Sequence, residues 1–151
     1  MIYTDMTRLA MKVAYEAHAG QLDRAGVPYI YHPIHLAEQM DTEDACVVAL
    51  LHDVVEDSDI TLEDLRVMGF TDIQLEGVKL MTHIPPEGEL SDEEKEKDYL
   101  DYVRSIKEND LARQVKIADL MHNADPDRRT TDTPQDRLRY EKYKKALEIL
   151  K

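Results

Sequence analysis

Apolar residues in this chain recur at three- and four-residue steps almost from end to end, and no segment alternates with a period of two. That property restricts the fold more than any other: one-sided helices must bury their stripes against each other, and no strand pattern exists from which to build a sheet. Met6, Leu9, Ala10, Val13, Ala14 and Ala17 define an amphipathic helix over Thr4–Ala19, which Gly20 ends. Residues Gln21–Tyr31, with Gly26 and Pro28, read as an ordered loop. Pro33 suits the first turn of a short helix, His32–Met40, and Thr42 suits the cap of a longer one, Glu43–Glu56. Thr61–Asp64, Thr71–Gln74 and Ser91–Glu94 carry capping-box spacing, and Gly69 supplies a stop. His83–Leu90 (HIPPEGEL) is the one clear break. Asn109 or Asp110 opens a helix through about Asn123, and Thr133-Pro134 starts the last one, to Lys151. With 151 residues, no repeat and no linker, the expectation is one all-α domain over residues 1–151.

Charge narrows the partners. Nineteen Lys and Arg against 32 Asp and Glu give a formal net charge of −13. A binder of duplex nucleic acid or of a membrane surface needs a basic footprint, and none is visible. No apolar run approaches the roughly 20 residues of a bilayer span. The N-terminus lacks a secretory pattern and Cys46 has no partner for a disulfide, so the cytoplasm is the expected setting. An anionic substrate would need the field reversed locally, by a metal or by a few placed cations.

The informative segment is His52-Asp53-Val54-Val55-Glu56-Asp57. On a continuous helix at about 100° per residue, His52, Asp53, Glu56 and Asp57 fall on one side and Val47, Val48, Leu51, Val54 and Val55 on the other. A solvated acidic face is the ordinary outcome for such a run. Here the four ionisable groups directly follow the most apolar stretch of the chain, and clustered carboxylates repel unless a cation or protons neutralise them. His beside Asp with no cysteine suits a borderline-to-hard divalent ion such as Mn²⁺, Fe²⁺ or Mg²⁺. One helix does not complete a coordination sphere. Further candidates are His32 at a loop–helix junction, His35 three residues on, His122, and Asp119 in the apolar run Val115-Lys116-Ile117-Ala118-Asp119. An unpaired carboxylate in that run would be costly. Lys116, Asp119 and Asn123 share a strip of their helix, and spacing does not choose among the histidines.

These motifs, in their order, resemble a known family. His18-Ala19-Gly20-Gln21, then Gly26-Val27-Pro28-Tyr29-Ile30-Tyr31-His32-Pro33, then Leu50–Asp57 with Thr61, then Val115–Asp119 with Asn123, resemble the HD-domain phosphohydrolase part of RelA/SpoT-type proteins and the stand-alone small alarmone hydrolases. The resemblance spans residues 18–123 and implies an all-α HD-domain helical bundle. It implies one divalent ion, usually Mn²⁺, held by His32, His52, Asp53 and Asp119. It implies catalytic roles for Glu56 and Asp57 beside the attacking water, and a nucleotide pocket lined by Tyr29, Lys116 and Asn123, with Arg24 and Lys116 offsetting phosphate charge. The family activity is removal of the 3′-pyrophosphate of guanosine tetra- and pentaphosphate, (p)ppGpp, giving GDP or GTP and pyrophosphate. Two rivals are an HD hydrolase of another nucleotide or phosphoester, and a catalytically silent metal-binding regulatory module. The latter is disfavoured because no ligand and neither acid is missing.

Two departures bear on substrate. The family has Arg-Lys where this chain has Asp23-Arg24, so an acid replaces the cation that packs on the base. It has Arg-Leu-His-Asn where this chain has Leu120-Met121-His122-Asn123. Weakened discrimination for guanine is therefore expected, with Asp23→Arg improving affinity. Tyr99, Tyr102, Tyr140 and Tyr143 read as packing residues, Cys46 as a small buried hydrophobe, His83 as exposed, and Arg128, Arg129 and Arg137 as a solvated face.

Overall fold

The computed structural model describes residues 1–151. Nine α-helices make the fold: α1 Asp5–Ala17, α2 Tyr31–Glu38, α3 Glu43–Leu51, α4 Val54–Asp57, α5 Leu62–Met68, α6 Asp72–Met81, α7 Asp92–Ile106, α8 Asp110–Asn123 and α9 Pro134–Leu150. A 3₁₀ turn, Pro126–Arg128, precedes α9, and an isolated bridge between Leu22 and Pro28 is the one extended pairing. No helix is long and apolar enough to cross a membrane.

Most helix starts are fixed by chemistry three residues long. Thr4, Thr61, Thr71, Ser91 and Thr133 each close a reciprocal capping box, with Thr7, Asp64, Gln74, Glu94 and Asp136 as partners. Thr42 and Asn109 cap α3 and α8 through their side chains. Each cap satisfies N–H groups that the helix leaves open and is worth about 1 kcal/mol.

Helix α3 is the axis of the bundle. It packs against α1, α2, α6 and α8, and every residue from Ala45 to Leu51 is fully buried. The expected helix Glu43–Glu56, apolar on one side and ionisable on the other, is thereby corrected. Beyond its first turn, which holds Glu43 and Asp44, the helix is apolar all round from Ala45 to Leu51, and the ionisable groups of the His52–Asp57 run begin where it stops. The cause is local: His52 Nδ1 takes the Ala49 carbonyl at 2.7 Å, a helix-end acceptor, and Asp53 leaves helical geometry at φ −110°, ψ 2°. Four helical residues, Val54–Asp57, follow as a separate turn of helix.

The approach of α6 to this axis depends on Gly77. A Cβ there would stand 2.8 Å from Val48 Cγ2, closer than van der Waals contact allows. Helix propensity alone favours Gly77→Ala by about 1 kcal/mol, whereas overpacking a filled core costs typically ~1–3 kcal/mol. We expect Gly77→Ala to lower the Tm by a few degrees, and Val48→Ala to relieve the defect in the double variant. A raised Tm in Gly77→Ala, read by thermal unfolding, would show the contact to be soft.

Candidate metal centre and adjoining cavity

The centre begins with a buried acid on α8. Asp119 Oδ2 accepts from Lys116 Nζ at 2.8 Å, and Oδ1 accepts from Asn123 Nδ2 at 3.0 Å. His32 Nε2, at the start of α2, lies 2.8 Å from the same Oδ1. His52 Nε2, at the end of α3, points between two carboxylates, 3.0 Å from Asp53 Oδ2 and 3.7 Å from Asp119 Oδ1, but is aligned to hydrogen-bond neither. Donor atoms of His32, His52 and Asp53 lie within 4.8 Å of one another, as do those of Asp53, Glu56 and Asp57. His32, His52 and Asp119 are buried, Asp53 is half-buried, and Glu56 and Asp57 are exposed.

This donor set fits a divalent cation. A carbonyl only accepts, so the bond to Ala49 makes His52 Nδ1 the N–H, and in the neutral ring the lone pair is left on Nε2. A buried ring nitrogen facing two carboxylates, with no hydrogen-bond partner, is placed as a ligand. Burial opposes protonation of His52, but Asp53 and Asp119 outweigh it and hold its pKa well above the ordinary value. Without a cation the ring itself carries the positive charge between the two acids, and a bound cation would take the place of its Nε2 proton. Against its own burial, Asp53 is lowered to about 2 by His52, and Asp119 is held well below the usual range by Lys116, His32 and His52. Both carboxylates are therefore anionic and attract positive charge.

The three candidate histidines separate by geometry. His32 offers Nε2 to the centre, and its Nδ1 lies 2.7 Å from His122 Nδ1. His122 thus sits behind His32, where burial and His32 itself push its pKa down to about 4. His35 stacks on the far side of His122, with ring centroids 4.1 Å apart. Neither His35 nor His122 reaches the other donors.

The remaining site candidates take distinct places. Tyr29 lines the cavity beside the centre and donates its hydroxyl to Asp53 Oδ2. Lys116 does not line that cavity. It is buried beneath Asp119, 5.5 and 5.3 Å from the ring centres of Tyr99 and Tyr102. Asn123 does both, lining the cavity and bonding Asp119. Glu56 accepts from the His83 backbone N–H at 2.7 Å, and loss of hydration with repulsion from Asp53 and Asp57 raises its pKa to about 7. Asp57 keeps a carboxylate oxygen within 4.8 Å of those of Asp53 and Glu56 and also lines a separate depression with Glu16, Ser58 and Asp59.

The cavity measures about 980 Å³ and is rimmed by Arg24, Arg128, Arg129 and Arg139, with Tyr140 and Tyr143 on its wall. The expected solvated face holds for Arg129, which stays exposed, but is corrected for Arg128, which is half-buried. Arg128 reaches from the 3₁₀ turn to the His122 carbonyl at 2.8 Å, and Arg129 lies 3.7 Å above the Tyr140 ring. Arg137 alone pairs outward, with Asp132. Asp23 is tied into its own loop. Its Oδ1 accepts from Ala25 N and Val27 N at 2.9 Å each, building the loop tip, and its Oδ2 stands 3.5 Å from Arg128. Leu120 is buried in the core, away from the cavity. His83 is half-buried rather than exposed. These tertiary placements carry no local sequence signal beyond the side chains themselves.

An all-α bundle whose axial helix ends in His-Asp beside a lone buried Asp defines an HD-type domain. No protein-family model matches the chain. It is 34% identical over 157 aligned residues, 93% of its length, to a chloroplastic GTP diphosphokinase of Oryza sativa subsp. japonica, of which it spans 16%. It is 47% identical over 62 residues, 38% of its length, to the guanosine-3′,5′-bis(diphosphate) 3′-pyrophosphohydrolase of Vibrio cholerae, of which it spans 9%. A solved structure of a metazoan SpoT ortholog that hydrolyses ppGpp superposes with a TM-score of 0.78 at 23% identity, covering 100% of this chain and 88% of that one. The chain is thus a relative of the RelA/SpoT-type HD hydrolase domain.

Removing the central acid tests the arrangement. Asp119→Ala leaves the Lys116 ammonium buried without its partner, a loss of about 3–5 kcal/mol by analogy with other broken buried pairs. Urea unfolding in chelator should therefore show Asp119→Ala far less stable than Asp53→Ala, whose carboxylate is partly hydrated. Metal analysis should show both variants depleted. Unchanged metal content in Asp119→Ala would remove that residue from the ligand set.

Proposed function

We propose that this chain is a metal-dependent hydrolase that removes pyrophosphate from the 3′ position of (p)ppGpp, with one Mn²⁺ held by His32, His52, Asp53 and Asp119. The observation that carries the reading is a buried His/Asp centre opening, at Tyr29 and His32, into an arginine-rimmed cavity of about 980 Å³. That volume lies within the range of small-molecule sites and suits a nucleotide. Its four arginines supply the local reversal of field that a chain of net charge −13 needs to hold an anionic ligand. The (p)ppGpp substrate is taken from the named activities of the Vibrio cholerae and metazoan relatives.

When bound, the divalent ion supplies Lewis-acid chemistry, polarising a phosphoryl oxygen and acidifying water. The chain's own residues do the rest. Glu56, with a pKa near 7, takes the proton of the attacking water. Tyr29 holds the orientation of Asp53, and Lys116 with Asn123 holds that of Asp119. Arg24 and the other cavity arginines receive the phosphates, and release of intact pyrophosphate requires the bond from phosphorus to the ribose 3′ oxygen to break. On this reading Lys116 acts through Asp119 rather than on phosphate.

Pyrophosphate release from a nucleotide panel with Mn²⁺ tests the function. Release from ppGpp supports it, release from another nucleotide moves the substrate, and metal binding without turnover of any member indicates a silent module. Glu56→Gln should keep the metal and the fold while lowering turnover on the order of 10²–10⁴-fold; loss of metal in this variant would make Glu56 a ligand. Because Asp23 builds the loop tip, Asp23→Arg should weaken nucleotide binding. Arg24→Ala should raise KM with little change in kcat, and an unaltered KM would take Arg24 off the phosphate path.

A further inference from the structure

The Pro-containing segment between α6 and α7 meets the candidate centre at one point. The backbone N–H of His83 donates to Glu56 Oε1 at 2.7 Å. The His83 ring is held on two further sides: Nε2 lies 2.8 Å from Asp98 Oδ2 on α7, and the ring stacks on Tyr102 with centroids 4.6 Å apart at 26°. Tyr102 in turn donates its hydroxyl to the Met81 carbonyl, in the last turn of α6. Two side chains of α7 therefore fix the chain where it leaves α6, and the fixed backbone presents its N–H to the acid.

Glu56 needs such a partner. Although its carboxylate has lost part of its hydration, the residue lies at the surface on the four-residue α4, and its side chain has three torsions to be fixed. A donor on anchored backbone selects one carboxylate placement without reorganising during reaction. We infer that His83, clamped by Asp98 and Tyr102, is a positioning residue for Glu56: its N–H engages Oε1 and leaves Oε2 to face the attacking water. The inference rests on the role given to Glu56 above. It also gives the histidine a purpose that its place in a surface loop does not suggest.

Loosening the clamp should act on turnover and not on binding. Asp98→Ala and His83→Ala are expected to lower kcat about 10- to 100-fold, the scale of a small misplacement of a catalytic group, with KM and metal content unchanged. His83→Gln, which can still donate to Asp98, should recover most of the loss. In a Glu56→Gln background, Asp98→Ala should cost nothing further, because the group through which it acts is already disabled. An additive loss in that background, or a rise in KM, overturns the assignment. Amide hydrogen exchange in the metal-free protein reads the clamp without substrate. The His83 N–H should be protected in the wild type and exchange faster in both Glu56→Ala and Asp98→Ala; equal rates in wild type and Glu56→Ala overturn it. A wild type that leaves ppGpp intact yet shows the expected exchange pattern refutes the substrate and supports the clamp.

Discussion

The site depends on one ionised carboxylate kept out of water. Asp119 is buried, and its two oxygens are bonded by Lys116, Asn123 and His32, with His52 Nε2 3.7 Å away. Dehydrating an isolated carboxylate is expensive, and replacing its hydration shell with fixed donors is what makes the charge tolerable. The same contacts tie α8 to the start of α2 and the end of α3. Lys116 faces the converse difficulty. Burial works against its charge, and Asp119 outweighs that to hold its pKa well above the ordinary value, while the faces of Tyr99 and Tyr102 shelter the ammonium. The centre is therefore charged and oriented by the fold itself, which is the condition for electrostatic preorganisation.

The position of His52-Asp53 follows from the burial of α3. From Ala45 to Leu51 the helix is enclosed on all faces and has no room for a charged side chain, so its C-terminus is where such groups next meet the interior. His52 uses that terminus twice. One ring nitrogen satisfies a helix-end carbonyl, and the other is thereby turned toward Asp53 and Asp119. After the break Glu56 accepts from the α6–α7 loop and Asp57 borders a depression at the end of α1, while both keep a carboxylate oxygen within 4.8 Å of Asp53.

Legibility in the sequence tracks the range of the interaction. Helix starts at Thr61, Thr71, Ser91 and Thr133 were readable because a cap is decided within three residues. The all-α bundle was readable from periodicity, whereas the convergence of His32, His52 and Asp53 on Asp119 was signalled by motif resemblance alone, since spacing did not choose among the histidines. A helical wheel carried through residue 56 missed the break at Asp53, because the bond from His52 to Ala49 is invisible to periodicity. The loop role of Asp23 was hidden for a similar reason: a motif position says nothing of an aspartate's hydrogen bonds to its own loop. His83 and Asp98, fifteen residues apart, meet only because α6 and α7 do.

The cavity shows how an acidic chain prepares for an anion. Arg128 faces Asp23 at 3.5 Å, and Arg139 pairs with Asp136 at 2.9 Å. Before any ligand arrives these carboxylates keep the guanidiniums from repelling one another across the pocket. An entering group must then compete for cations that already have partners. A singly charged ligand merely replaces what it displaces, whereas a phosphoryl group, carrying up to two charges and several acceptor oxygens, gains both field and bidentate bonds. Arginines that are partly satisfied at rest thus favour a multiply charged anion over a singly charged one, against a background of net charge −13.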